Sequence, residues 1–325
     1  MTESSLFGGE NMGKYDWSIY DRDWYEWPPK KQGELLIEEL KLYGEPIALA
    51  WFPSNSLPPK LEKYIYKGKL RLVHCQFMQR ARFRGEIYVL EGVRSRPDPP
   101  VCDGDAYVGL TTVSDRLMTG LVHTRTDTSS GKPAQLGIFG NPVASTRSLR
   151  NHYWTVHPNI EHFAISPLSD CPFDPDVVAI IGNPRQITMA SRALQYFTGK
   201  AVTGETGPGT CSSSWIAAYL SGEARYTLGC HGEFDIMGVD PNEICLSIPG
   251  EQMPMLCQAL ELWHKRGKLM FQEPPPNEQR EFIKAPYDGP YTKEDYKEAD
   301  YIPWEQRLET PYITWSEQRK RGRGA

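Results

Sequence analysis

No stretch of this 325-residue chain comes near the roughly 20 consecutive apolar residues of a membrane helix, so no helical span is expected. Positive charge is not in excess either. The formal charge of −5 argues against a general binder of nucleic acid or of anionic membranes. Met1 to Gly13 holds neither an early basic region nor a continuous apolar segment, the two parts of a secretory leader, and a cytoplasmic location is expected. Stable disulfides are uncommon in that compartment, so clustered cysteines there more often bind metal or do chemistry. The nucleotide signatures are also missing. The glycine-rich Thr203 to Thr210 lacks the Gly-Lys-Ser/Thr of a phosphate loop, and the turn at Gly182 has too few glycines for a dinucleotide fingerprint.

What the chain does have is a repeat. Cys75 opens a helical segment with Phe77, Met78 and Ala81, Gly85-Glu86 stops it, and Ile87 to Leu90 reads as a strand; after an insert come Cys102-Asp103-Gly104-Asp105. Cys211 likewise opens an apolar helical segment with Trp215, Ile216, Tyr219 and Leu220. Gly222-Glu223 stops it, Glu223 to Leu228 reads as a strand, and Cys230-His231-Gly232-Glu233 follows. A glycine recurs a few residues on, at Gly109 and Gly238. Four landmarks in the same order imply two halves related by a pseudo-twofold, each offering two cysteines. Neither half contains the Cys-x2-Cys of a ferredoxin or a zinc ribbon.

In chain order, Tyr15 to Trp27 crowds tryptophans and tyrosines among acids and breaks at Pro28-Pro29. It reads as an arm lying on its own core or on a second subunit. Lys31 to Tyr43 has the spacing of an amphipathic helix ending at Gly44, and Pro46 to Phe52 reads as a buried strand. A strand from Leu70 delivers Cys75 to a helix N-terminus, a position that favours the thiolate. Arg80, Arg82 and Arg84 follow. They screen an anionic cluster, hold a substrate carboxylate or, more commonly, form a solvated basic face. His123, in a loop or lid from Val113 to Ser130, reads as a surface histidine.

Two strands end at Gly-Asn-Pro, at Asn141-Pro142 and at Asn183-Pro184. There Asn caps a helix and Pro sits at its first position, and Arg185 and Gln186 lie just inside the second. Asn183, Arg185, Gln186 and Arg82 are therefore the candidate substrate-binding residues. Cys245, in the strand Glu243 to Ile248, and Cys257, in the helix Pro254 to Lys265, read as small buried hydrophobes, and Cys171 as a loop thiol that is a spare ligand at most. From Glu273 onward the chain is rich in proline and aromatics and ends basic, which reads as a second arm.

Val177 to Gln186, the contexts of Cys75, Cys102, Cys211 and Cys230, and the strand Leu246 to Pro249 together resemble the uncharacterised bacterial and archaeal ArCR family, domain of unknown function 169. The resemblance runs from about Leu35 to Leu262 and leaves both arms outside. It implies that the four cysteines form one set and brings no activity with it. Four thiolates suit a [4Fe–4S] cluster gripped between the halves, with a zinc centre as the alternative cofactor and two disulfides as the structural one.

The expected fold is α/β or α+β, with mixed sheets, flanking helices and extended aromatic arms. Its parts are an N-terminal arm (1–30), a core of two related halves (31–150 and 151–270) and a C-terminal arm (271–325). The expected function is an iron–sulfur enzyme of anaerobic metabolism, doing redox or hydratase-type Lewis-acid chemistry on a small molecule or passing electrons to a partner. His231, Glu233, Asp103 and Asp105 are its candidate acid–base groups, with turn chemistry as their plainer role. The alternative is a non-catalytic accessory or regulatory protein. A homo-oligomer held by the arms is expected, with no nucleic-acid or membrane partner.

Overall fold

The computed structural model describes residues 27–68, 72–92, 104–111, 160–207, 209–230, 233–234 and 237–265, with parts of 141–148. Residues 1–26 of the N-terminal arm, the whole C-terminal arm, His123, Cys102, Asp103 and His231 lie outside the described residues, and the last residues of the first arm, Pro29 and Lys30, open α1. Residues 1–271 form one unit and 272–325 another, so every described residue belongs to the first. Among the described residues no helix is long and apolar enough to cross a membrane.

One open mixed sheet of seven strands carries the fold. The strands are β1 (Ile47–Pro53), β2 (Tyr88–Glu91), β3 (Ile160–Pro167), β4 (Val177–Gly182), β5 (Thr203–Gly204), β6 (Arg225–Thr227) and β7 (Ile244–Pro249), in the order β2-β3-β1-β4-β7-β6-β5. All pairs are antiparallel except β5 with β6. β4 is buried along its whole length, which is why its sequence is a continuous apolar run rather than an alternating one.

Helices cover both faces. α1 (Pro29–Leu40), α4 (Pro184–Thr198) and α6 (Met253–Lys265) bury Leu36, Ile187, Ala190 and Leu260 against Ala48, Val178, Ile180, Leu246 and Ile248. On the opposite face α2 (His74–Arg84), α3 (Gly104–Tyr107), a π-helix (Cys211–Ile216) and α5 (Ala217–Ser221) cover Ile47, Leu49, Ala179, Ile181 and Cys245. Period-two alternation thus sends each strand's side chains into two separate cores.

The order β2-β3-β1-β4-β7-β6 reads the same outward in both directions from the antiparallel β1–β4 pair. β2 and β6 each follow a cysteine-initiated helix, and β3 and β7 are each followed by a 3-10 turn, Leu168–Asp170 and Gly250–Gln252. Gly85 (φ 68°) and Gly222 (φ 64°) both end the preceding helix in the left-handed region, which glycine enters without a Cβ clash. The two copies of the repeat therefore join edge to edge in one sheet.

Three local expectations differ. α1 stops at Leu40, because Lys41 turns left-handed (φ 53°) and its N–H bonds Ile37 C=O, so Gly44 is not the cap. Leu72 and Val73 are not strand; Val73 is the extended N-cap of α2. The basic face expected after Cys75 is not wholly solvated, since Arg82 is 2% exposed.

Candidate functional site

Cys75 is the second residue of α2, Cys211 opens the π-helix, and Cys230 follows β6 on the turn that leads to β7. Sheet topology brings these three elements to one place on the α2 face. The π-helix itself is unusual, since such turns are rare and gather at functional sites. Side-chain hydroxyls fasten it from below: Ser214 Oγ lies 2.6 Å from Ser247 Oγ of β7, and Ser213 Oγ donates to Gly209 C=O at 2.9 Å.

The Cys75 thiol donates to the Cys230 sulfur. That sulfur also accepts from the backbone N–H groups of Thr210 and Glu233, and it is faced by the Thr210 hydroxyl. These donors stabilise a thiolate and hold Cys230 down to about 5 despite its burial. Cys75 is pushed in the opposite direction, first by the hydrogen bond its protonated thiol makes to Cys230, then by burial and by the nearby charges of Cys230, Glu233 and Cys211. One proton is thus held between the two sulfurs, on the Cys75 side.

Glu233 is buried beside them. Its Oε2 accepts the Thr210 hydroxyl at 2.5 Å and the Cys230 N–H at 3.2 Å, while Oε1 has no hydrogen-bond partner among the described residues. Desolvation, and secondarily the Cys230 thiolate, raise its carboxyl to about 8, with Thr210, Cys230 N–H and Arg82 pulling the other way. Asp105 is also buried, on α3, and its Oδ1 stands 2.9 Å from His74 Nε2.

The other cysteines take different places. Cys245 faces the same core from β7 but is a fully buried thiol raised to about 12, and burial pushes the Cys257 thiol well up within α6 on the opposite face. Cys171 also belongs to the opposite face, where its thiol donates to Phe173 C=O at 3.0 Å, so it is no spare ligand for this site. All six described cysteines are free thiols. Among the described residues no three His, Cys, Asp or Glu side chains are grouped so as to hold one metal ion.

The candidate substrate residues gather elsewhere. An open cleft of about 630 Å³ is lined by Arg82, Asn183 and Gln186, with Tyr43, Gln79 and Glu243 around them. Three of those residues are already engaged. Asn183 and Gln186 form a reciprocal cap at the start of α4, and Gln186 Nε2 donates to Lys41 C=O at 2.6 Å. Arg82 makes a two-pronged bond to Glu243 (2.5 and 3.0 Å) and donates to Ile181 C=O at 3.2 Å. These contacts tie α1, α2 and α4 to the ends of β4 and β7. Arg185 is exposed on the first turn of α4. Of the site, sequence reasoning missed His74 and Thr210. Each immediately precedes the first cysteine of its repeat, and that shared offset was the signal available.

The chain is 25% identical over 193 residues to the uncharacterized protein MJ0308 of Methanocaldococcus jannaschii, a match covering 58% of this chain and 76% of that protein. No solved structure matches it. A model of the uncharacterised ArCR family, domain of unknown function 169, matches residues 35–259, and the chain belongs to that family.

Proposed function

We propose that Cys75, Cys211 and Cys230, completed by Cys102, hold a [4Fe–4S] cluster between the two halves of a cytoplasmic enzyme that acts on a small molecule. The observation that carries this reading is the convergence of three thiols from α2, the π-helix and the β6–β7 connection, drawn from both copies of the repeat. Cys102 occupies in the first copy the position of Cys230 in the second. A cluster of this kind takes cysteine thiolates as its sole protein ligands, one on each iron. Held by all four cysteines such a cluster would pass single electrons; held by three it would offer an iron to a substrate oxygen.

The chain's own contribution is a polarised surround. Backbone N–H groups and the Thr210 hydroxyl stabilise negative sulfur, and Glu233, raised to about 8, can give or take a proton near neutral pH. Asp105, committed to His74, is a holding group in this reading. The arms at 1–30 and 271–325 would serve assembly into an oligomer, and oxygen-free metabolism is the setting in which such a cluster persists.

The test is metal content of variants purified without oxygen. Cys75→Ser, Cys211→Ser and Cys230→Ser are expected to lose bound iron, and Cys171→Ser, Cys245→Ser and Cys257→Ser to keep it. Iron retained by every variant of the first group would overturn the assignment.

A second reading is favoured by one observation, the direct thiol-to-thiolate hydrogen bond from Cys75 to Cys230. In this reading the pair reduces a substrate disulfide. The Cys230 thiolate attacks one sulfur and releases the other as a thiolate; Cys75, losing its proton, then displaces the first. A Cys75–Cys230 disulfide and a reduced dithiol result, with two electrons passed.

A further inference from the structure

We infer that His74–Asp105 and Thr210–Glu233 are two equivalent latches, one in each half, that fix where the cysteine-bearing segments sit. The inference rests on the reading of the cysteines as the site, and it assigns Asp105 and Glu233 positioning roles alongside His74 and Thr210.

The correspondence is detailed. In each half the residue just before the first cysteine bonds, through its side chain, the acid three positions after the second. His74 Nε2 lies 2.9 Å from Asp105 Oδ1, and Thr210 Oγ1 donates to Glu233 Oε2 at 2.5 Å. All four residues are at most 2% exposed. The backbone repeats the pattern. The C=O of Asp105 accepts the N–H of Leu110 at 2.9 Å, and the C=O of Glu233 accepts that of Val239 at 3.0 Å; each donor follows a glycine of positive φ, Gly109 and Gly238. In the second half Glu233 Oε2 also takes the N–H of Cys230, so one carboxylate grips the turn of the second cysteine and the residue leading to the first.

A buried polar pair is costly to leave half made, so each latch ties its two segments together. α3, which carries Asp105, also packs on the π-helix that Cys211 opens. Each latch thus joins segments of its own half, while Cys75 meets Cys230 across the halves. Loss of either latch would move one sulfur of that pair relative to the other.

The experiment is a brief diamide pulse on reduced, metal-free protein, with the Cys75–Cys230 disulfide read by peptide mass spectrometry. Thr210→Val and His74→Ala are expected to form it at least ~10-fold more slowly than the wild type, the factor that ~1.4 kcal/mol of misplacement represents. Thr210→Ser and His74→Gln, which restore a donor, are expected to recover to within about threefold. Cys257, on the opposite face, is alkylated in parallel and should stay protected in all four. Wild-type rates in Thr210→Val and His74→Ala, failure of both restoring variants, or slowing accompanied by exposure of Cys257 would each overturn the inference. Because no metal is present, the outcome stands apart from the iron content that tests the function.

Discussion

The thiol of Cys75 donates to the sulfur of Cys230, although the two belong to opposite halves of a sheet that reads symmetrically about β1 and β4. The pair is asymmetric. Cys230 gathers donors from Thr210 and Glu233 as well as from Cys75, so the negative charge settles on Cys230 and the proton on Cys75.

That asymmetry sets a reactivity profile. Cys230 is lowered from 9.0 to about 5, so its alkylation by iodoacetamide in reduced, metal-free protein should rise through a midpoint near pH 5 and be flat by pH 7. Residue-resolved mass spectrometry at a series of pH values checks this. A midpoint near 9 would remove the thiolate. Cys257, whose thiol burial pushes well above the usual range, should stay unreacted throughout.

Glu233 makes stability depend on pH. Its carboxyl is raised from 4.5 to about 8, so folding favours the protonated form, whose contribution is complete below 4.5 and is lost as pH rises through about 8. Urea unfolding of metal-free wild type and Glu233→Gln should therefore show the wild type losing ground between those values, at roughly 1.4 kcal/mol per pH unit where the slope is steepest. Cys230 works in the opposite sense, its contribution falling away as pH drops through about 5, and because the two groups face each other the difference between the proteins reports the pair. Parallel curves for the two proteins would contradict the raised carboxyl.

Arg82 and Glu243 form an ion pair with the guanidinium 1% and the carboxylate 13% exposed. Removing one partner strands the other, so Glu243→Ala should cost about 3–5 kcal/mol in urea unfolding. Replacing both by apolar residues, Arg82→Met with Glu243→Leu, should recover most of that loss. A cost under about 1 kcal/mol for Glu243→Ala would mean that the pair is solvated.

Trp215 is completely buried in the core beneath the cysteines. Trp215→Ala should cost about 3–5 kcal/mol, read by the same method, and should raise alkylation of Cys211 and Cys245 before that of Cys257, which lies across the sheet. Equal exposure of all three would indicate global loosening.

Much of the scaffold was legible because local signals coincide there with the tertiary ones. The apolar run from Val177 to Ile181 is a central strand, Asn183-Pro184 caps the helix that follows, and Gly85 and Gly222 end matching helices. The cysteine repeat surfaced as sheet order because its landmarks are backbone requirements that any copy must satisfy. Side-chain partners distant in sequence were not legible. Arg82 looks like one more exposed arginine until Glu243 and Ile181 are brought to it by sheet pairing. His74 and Thr210 have no periodicity of their own and acquire meaning only from the acids that they meet. Cys171 sits in a loop that folds onto the other face, a placement decided by the 3-10 turn before it and by sheet packing rather than by its neighbours in sequence.

The most direct measurement is the iron and acid-labile sulfide content of the full chain purified without oxygen, read with its visible spectrum. A [4Fe–4S] centre predicts about four irons and four sulfides per chain, with a coloured, oxygen-sensitive protein. A colourless, iron-free protein in which Cys75 and Cys230 cycle between dithiol and disulfide would contradict it and leave thiol–disulfide exchange in its place.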